Sequence, residues 1–247
     1  MGSQRRLFGF SAPLRHQAGA ADPQFAPARR KRVWQRVLAS DEAGAAIEFA
    51  LVGAPFIALM IAAMNTALVF LAQEGLETAA EGAARLLLTG QAQTLQYYTG
   101  SNTTPTTGMT ATQFQNAVCG TLTYNATAGA STQTSFGGTM LPPFLSCSNL
   151  VVNVTTASSY SSAALTAPTF TYDSSGNVTA TGTGYNVSSS STGQNLILVV
   201  QLIYLWPTTT GPLGFSLSNQ ANGDDMLVAT QVITTENYVC PTGVSVC

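Results

Sequence analysis

The sequence is poor in charge, and it has almost no basic residues beyond its N-terminal part. Only 8% of its 247 residues are charged, against about 25% in an average soluble domain. No Lys or Arg follows Arg85, and the single histidine is His16. A Ser–His–Asp triad, a Ser–Lys dyad and a histidine-based metal site are therefore excluded from the residues after Arg85.

The acidic residues of the same region offer little catalytic chemistry. After Gly90 the carboxylates are Asp173, Asp224, Asp225 and Glu236. A glycosidase needs two carboxylates at a set separation, and no pattern here brings a particular pair together. The run "NGDD" lacks the alternating ligands of a calcium loop, so it fits a turn better. We therefore expect a protein that is not an enzyme, with no catalytic residues, no metal and no cofactor.

The charges that are present are separated along the chain. Residues 1–36 carry eight of the nine cations and one acid, whereas the remainder carries one cation and ten acids. The cluster "ARRKRVWQR" ends at Arg36, shortly before an apolar run that begins at Phe49. Basic residues beside a membrane span stay on the cytoplasmic side. This position favours a topology signal with some attraction to anionic lipid over an arm that binds nucleic acid.

The apolar run is long enough to cross a bilayer. From Phe49 to Ala72 the sequence reads "FALVGAPFIALMIAAMNTALVFLA", which has 24 residues and no charge. A helix needs about 20 residues to span the hydrocarbon core, while a cleaved secretory signal has a shorter apolar core of about 7–15. A full span also argues against a mitochondrial transit peptide. We predict a single-pass anchor with its N-terminus inside and its C-terminus outside.

The helical pattern continues beyond the membrane. A stripe with the 3.6-residue period of a helix follows the span, at Leu76, Ala79, Ala80, Ala83, Leu86 and Leu87. Gly90 has the character of a helix C-cap. The pattern therefore predicts a basic, disordered leader (1–40), a helix that begins near Ala45, spans the membrane and protrudes as far as Gly90, and an outer domain (91–247).

The outer domain has the pattern of a small α+β fold. One short helix, "TATQFQNAVCG", places Phe114, Ala117 and Val118 on one side, and Gln91–Thr110 has the composition of a loop. Strand-like runs follow, beginning at Asn149, Pro168, Asn177, Asn195 and Met226. The run at Asn195 is apolar on both faces, which predicts a central strand, and the last run is expected to pair with it antiparallel.

Four cysteines, all after the span, predict disulfides. They are Cys119, Cys147, Cys240 and Cys247. An even number of thiols in an exported domain favours two disulfides. Proximity in the sequence favours Cys119 with Cys147 and Cys240 with Cys247, although spacing alone does not separate the three possible connectivities.

The order of these motifs resembles the TadE-like family, the minor pseudopilins of the tight-adherence (Flp) type IV pilus system. The resemblance begins with "GAAIEFALV" and "LETAAEGAARLLLTGQAQ", includes the two cysteine segments "FQNAVC" and "LSCSNLVVNV", and ends with "ILVVQLIYLWP" and "LVATQVITTENY". It covers roughly residues 42–240. The resemblance implies a pilin-like fold, with a long N-terminal transmembrane helix and a mostly antiparallel, disulfide-stapled β domain.

The resemblance also implies processing by a prepilin peptidase. In the family the cut follows a glycine, and a glutamate followed by an aromatic residue stands fifth in the mature chain. Placing Glu48 fifth and Phe49 sixth makes Gly44 the first mature residue and puts Ala43, not a glycine, before the cut. The alternatives are a cut after Gly44, or no processing with Glu48 reaching the headgroup layer. We favour the cut after Ala43.

The implied function is assembly of a Flp pilus that supports surface adherence. The implied partners are other pilins and pseudopilins, the prepilin peptidase, the inner-membrane assembly platform and membrane lipid, with no nucleic acid and no small-molecule substrate. The implied location is a bacterial inner membrane, with the outer domain in the periplasm. A single-pass anchored adhesin or passive structural domain is the main alternative, and a periplasmic enzyme is a third.

Overall fold

The computed structural model describes residues 41–100, 102–187, 196–208 and 216–236. The chain divides into two units, Met1–Pro55 and Phe56–Cys247. Within the first unit the described residues, 41–55, are helical. The basic leader up to residue 40 lies outside the described residues, as do Cys240 and Cys247.

One long helix opens the described chain, as predicted. Helix α1 runs from Asp41 to Leu88 over 48 residues and includes Pro55. Gly90 follows with a φ of 75°, and its N–H donates to the carbonyl of Leu87 at 3.2 Å. Because glycine adopts a positive φ without steric cost, Gly90 ends the helix in the left-handed conformation expected of a C-cap.

The elements after α1 are short until the main sheet. Among the described residues they are α2 (Gln91–Thr94), β1 (Gln96–Tyr97), β2 (Thr106–Thr107), α3 (Ala111–Val118), β3 (Thr123–Tyr124), β4 (Thr134–Ser135), β5 (Leu150–Ala157), β6 (Phe170–Tyr172), β7 (Val178–Thr181), β8 (Ile197–Trp206) and β9 (Asp225–Thr234). Single 3-10 turns cover Cys147–Asn149 and Tyr160–Ser162. The α+β class is confirmed.

The main sheet has the order β5–β8–β9, and both pairings are antiparallel. The register pairs Leu150 with Tyr204 and Trp206 with Asp225. Residues of β8 are buried on both faces, Val200 on one and Ile203 on the other. The predicted central position of β8 and its antiparallel pairing with β9 are therefore both confirmed.

The second half of α1 packs on one face of this sheet. The predicted stripe is buried in full, with Leu76, Ala79, Ala80, Ala83 and Leu87 at 0% exposure and Leu86 at 8%. It forms one core with sheet residues that include Val154, Val200 and Leu202. At the two ends of this contact, Gln73 Nε2 donates to the carbonyl of Val228, and the N–H of Glu236 donates to the carbonyl of Leu88. Helix α1 therefore lies along β9 and runs in the same direction.

The other face of the sheet carries a buried polar network that the sequence pattern did not reveal. Asn153 Nδ2 donates to Gln201 Oε1 at 2.7 Å, and Asn153 Oδ1 accepts the N–H of Gly184 at 2.8 Å. Gln201 Nε2 donates to the carbonyl of Leu165 at 3.2 Å. Because each buried amide group is paired, the network fixes the segment between β5 and β8 over this face.

Helix α3 and the first disulfide agree with the prediction. The helix begins with a capping box between Thr110 and Gln113, and it buries Phe114, Ala117 and Val118. Cys119 follows it and is bonded to Cys147, with the two Cα atoms 5.9 Å apart. The disulfide joins the end of α3 to the start of β5. Next to it, the N–H of Ser146 donates to the hydroxyl of Tyr204 at 2.9 Å.

The stretch from Gln91 to Thr110 differs from the expected loop. It contains α2 and the pair β1–β2, and it buries Ala92, Tyr97 and Met109. The run that begins at Asn177 forms a strand only as far as Thr181. The first difference comes from tertiary burial, which overrides a polar, Thr-rich local composition.

Candidate membrane and assembly site

The surroundings of α1 change sharply near Ala72. Before this residue, large apolar side chains are exposed around the helix: Ile47, Phe49, Leu51, Val52, Phe56, Ile57, Leu59, Met60, Ile61, Met64, Leu68, Phe70 and Leu71. Phe49 is 79% exposed, whereas Ala72 and Leu76 are fully buried. A contiguous apolar surface of this extent on a monomer marks a site of interaction with protein or membrane.

The dimensions of this segment suit a bilayer. Within the described residues, one helix, Gly44–Leu88, is long and apolar enough to cross a membrane, with a mean hydropathy of 2.1 in its most apolar window. The uncharged stretch from Phe49 to Ala72 has 24 residues, which at about 1.5 Å each exceeds the roughly 30 Å hydrocarbon core. The helix therefore fits membrane anchoring.

All four predicted processing residues lie on α1. The backbone of Ala43 is helical, Gly44 is half-buried, and the side chains of Glu48 and Phe49 are exposed. In a helix, residues four apart lie on the same face about one turn from each other. Gly44 and Glu48 have this spacing, and Ala45 and Glu48 are three apart, so either candidate cut places the new N-terminus within one turn of the carboxylate.

Two carboxylates of the outer domain, Asp173 and Asp224, are held in turns. Asp173 accepts a hydrogen bond from Asn177 Nδ2, and its Oδ1 accepts the backbone N–H groups of Asn177 and Ser175. The side-chain bond from Asn177, followed by the backbone bonds, lowers the pKa of the Asp173 carboxyl. Asp224 Oδ2 accepts from Asn222 Nδ2 at 2.7 Å within the "NGDD" turn. In the part of the chain that the structure describes, no three His, Cys, Asp or Glu side chains gather where they would hold a metal ion.

A loop that the sequence analysis did not single out crosses α1 just beyond the exposed segment. We call Leu141–Leu145 the LPPFL loop. A Cβ on Gly75 would lie 2.7 Å from Pro142 Cγ and 3.5 Å from Phe144 Cζ, so the loop contacts the helix backbone here. Seven residues later, a Cβ on Gly82 would lie 3.1 Å from Met140 Sδ. Gly75 therefore admits the LPPFL loop close to the backbone of α1, and Gly82, one heptad later, admits Met140, the residue before the loop.

These features define a class of protein: a disulfide-containing α+β domain joined to a long helix whose first part is suited to a bilayer. Residues 44–85 match the family model of TadE-like proteins. The match begins at Gly44, includes Glu48, and ends at Arg85. The resemblance is therefore confirmed over residues 44–85 of α1. No curated protein and no solved structure matches the chain.

Proposed function

We propose that this chain is a minor pseudopilin that takes part in assembly of a tight-adherence (Flp) type IV pilus. The observation that carries the proposal is the TadE-like match over residues 44–85, on a helix whose first half is apolar and exposed. Leader residues 1–43 are removed at the cytoplasmic face of a bacterial inner membrane. Residues 44–90 anchor the protein, and residues 91–247 lie in the periplasm.

Glu48 has a physical role in this proposal. A charged side chain at the centre of a membrane-spanning helix costs about 2.5–3.5 kcal/mol on insertion scales, and less near its end. A new α-ammonium one turn away, at about 6 Å, interacts with a carboxylate by about 3 kcal/mol at an effective dielectric constant near 20. The two quantities are similar, so pairing offsets most of the cost of placing Glu48 at the membrane.

The same pair accounts for assembly. If the ammonium comes from a neighbouring pilin, the pair sets the axial register between adjacent helices, because an unpaired charge at that depth is unfavourable. The exposed apolar surface of α1 then packs against helices of other pilins, and the outer domain supplies lateral contacts. The partners are pilins and pseudopilins, the prepilin peptidase, the assembly platform and lipid.

Processing is tested by intact mass spectrometry of the membrane-purified protein. We expect a mature chain that begins at Gly44 in a strain with active prepilin peptidase, and an intact Met1 terminus in the matched strain without it. The variant Ala43→Gly places a glycine before the cut and is expected to be processed at least as completely. An intact Met1 terminus in both strains would refute the processing step.

Assembly is tested by the variant Glu48→Gln, with Glu74→Gln as the matched control. Both variants remove one carboxylate from α1, but Glu74 lies beyond the apolar stretch and is exposed. We expect Glu48→Gln to be inserted and processed, and to lose pili and surface adherence. Glu74→Gln should keep both. Normal pili with Glu48→Gln would remove Glu48 from the mechanism, and adherence without pili would favour an anchored adhesin.

A further inference from the structure

The LPPFL loop presents an exposed apolar tip that is held rigidly from both sides. Leu141 and Leu145 are each 5% exposed, whereas Pro143 and Phe144 between them are exposed, Phe144 by 50%. The N–H of Leu145 donates to the carbonyl of Pro142 at 3.0 Å and closes a turn. The N–H groups of Met140 and Leu141 both donate to the carbonyl of Val118, which ties the loop to α3. The fold therefore fixes Phe144 at the surface.

The position of the tip along α1 is set by the contact with Gly75. Phe144 packs beside Gly75, which lies four residues after Leu71, the last exposed large apolar residue of the helix. Four residues correspond to about 6 Å along a helix axis. The headgroup region on each side of the hydrocarbon core is about 5–7 Å thick. With the apolar segment of α1 in a bilayer, Phe144 lies at the depth of the lipid headgroups.

The chemistry of the loop suits this depth. No residue from Thr139 to Asn149 is charged. Trp and Tyr are enriched where the membrane meets water, and Phe occurs among the apolar residues that surface-bound helices bury at the boundary between headgroups and acyl chains. The outer domain has no Lys or Arg after Arg85, so attraction to anionic lipid does not draw it to the surface, and an apolar contact is the one available.

We propose that Pro143 and Phe144 insert into the headgroup layer of the bilayer that α1 crosses, as a second lipid contact. The two contacts together fix the rotation and tilt of the outer domain about α1. The inference rests on the membrane insertion of α1 that the proposed function includes, and not on the role in a pilus. The contacted molecule is phospholipid, because the tip lies beside the end of the lipid-facing surface of the helix.

The test is quenching of tryptophan fluorescence by brominated phosphatidylcholine. The chain has two tryptophans, Trp34 and Trp206, and both are replaced with phenylalanine in the full-length protein. One tryptophan is then introduced as Phe144→Trp, as Phe56→Trp within the span, or as Tyr160→Trp. Each protein is reconstituted into vesicles of phosphatidylcholine whose acyl chains carry bromine near the headgroup. The lipid-to-protein ratio is high, so that contact between copies of the protein is rare.

Tyr160 is the matched negative control. It is 64% exposed, and its hydroxyl is hydrogen-bonded to Thr234 at the far end of β9. Gln73 of α1 contacts β9 at Val228, and six residues of strand extend about 20 Å. Tyr160 therefore lies well beyond the headgroup layer if α1 spans the bilayer.

We expect Phe144→Trp to lose emission to nearly the same extent as Phe56→Trp, while Tyr160→Trp keeps its emission. If Phe56→Trp is quenched and Phe144→Trp is not, the loop contact is wrong but membrane insertion stands. If Phe56→Trp is not quenched, membrane insertion fails, and with it the proposed function. Equal quenching of Phe144→Trp and Tyr160→Trp would also overturn the proposal, because the contact would not be specific to the loop.

Discussion

Replacing Gly75 with alanine tests the close contact between α1 and the LPPFL loop. The new Cβ would lie 2.7 Å from Pro142 Cγ, whereas two carbon atoms are in optimal contact at about 3.5–4.0 Å. The proline ring has no rotamer that moves it away, and the buried Leu141 and Leu145 hold the loop on both sides. Overpacking of this kind costs about 1–3 kcal/mol.

The helix itself gains from the same substitution. Alanine is favoured over glycine in a helix by about 1 kcal/mol. The net expectation for Gly75→Ala is therefore a loss of up to about 2 kcal/mol in the free energy of unfolding. At Gly82 the new Cβ meets Met140 Sδ at 3.1 Å, and a flexible thioether moves at little cost. Gly82→Ala is therefore expected to be neutral or to gain up to about 1 kcal/mol.

The assay is denaturant unfolding of the full-length proteins in detergent micelles, with Trp34→Phe in every protein so that the fluorescence of Trp206 alone is followed. The difference between the two variants is the informative quantity, because the gain in helix propensity is common to both. If Gly75→Ala is as stable as Gly82→Ala, the loop does not approach α1 as closely as the structure indicates. The depth assigned to Phe144 would then also be wrong.

Three further predictions concern the outer domain and use the same assay. The double variant Cys119→Ser, Cys147→Ser opens a loop with a sequence separation of 28 residues and should cost about 3–4 kcal/mol in the chain-entropy model; no loss would mean that the bond does not constrain the unfolded chain. Tyr185→Phe removes a buried hydroxyl that has no partner among the described residues, so it should raise the free energy of unfolding by about 1 kcal/mol. Tyr204→Phe loses a hydrogen bond from a backbone N–H and should lower the free energy of unfolding by a similar amount. The opposite order of the two variants would contradict both assignments. Burial raises the pKa of the Asp225 carboxyl above its unfolded value, so its ionisation disfavours the folded state, and stability should fall as pH rises through the raised pKa; Asp225→Asn should abolish that component, and an unchanged pH profile would argue against it.

Several elements were predictable because their signal is local. The two parts of α1 follow from two different patterns in the sequence. The exposed segment is apolar all round the helix, whereas the buried stripe repeats every 3.6 residues. Strand β8 was recognisable from a run of apolar residues on both faces. Cys119 and Cys147 were paired correctly by proximity alone, while the pair Cys240 and Cys247 lies outside the described residues and stays a prediction.

Other features depend on contacts between distant parts of the chain. The pair Asn153–Gln201 gave no signal, because each amide is unremarkable until the register of β5 and β8 places the two side by side. The small elements between Gln91 and Thr110 form because Ala92, Tyr97 and Met109 are buried by the rest of the domain. A Thr-rich composition without that burial predicts a loop.

The sequence by itself determined the separation of charge, the length of the apolar segment, the face of α1 that is buried, and the position of Glu48 one turn from Gly44. These depend on composition and on the helical repeat, which are properties of neighbouring residues. Only the tertiary structure decided that Phe144 lies beside Gly75, because that contact joins residues almost seventy positions apart in the chain. An exposed aromatic residue gives no signal in the sequence, whereas the fold shows which part of α1 it contacts.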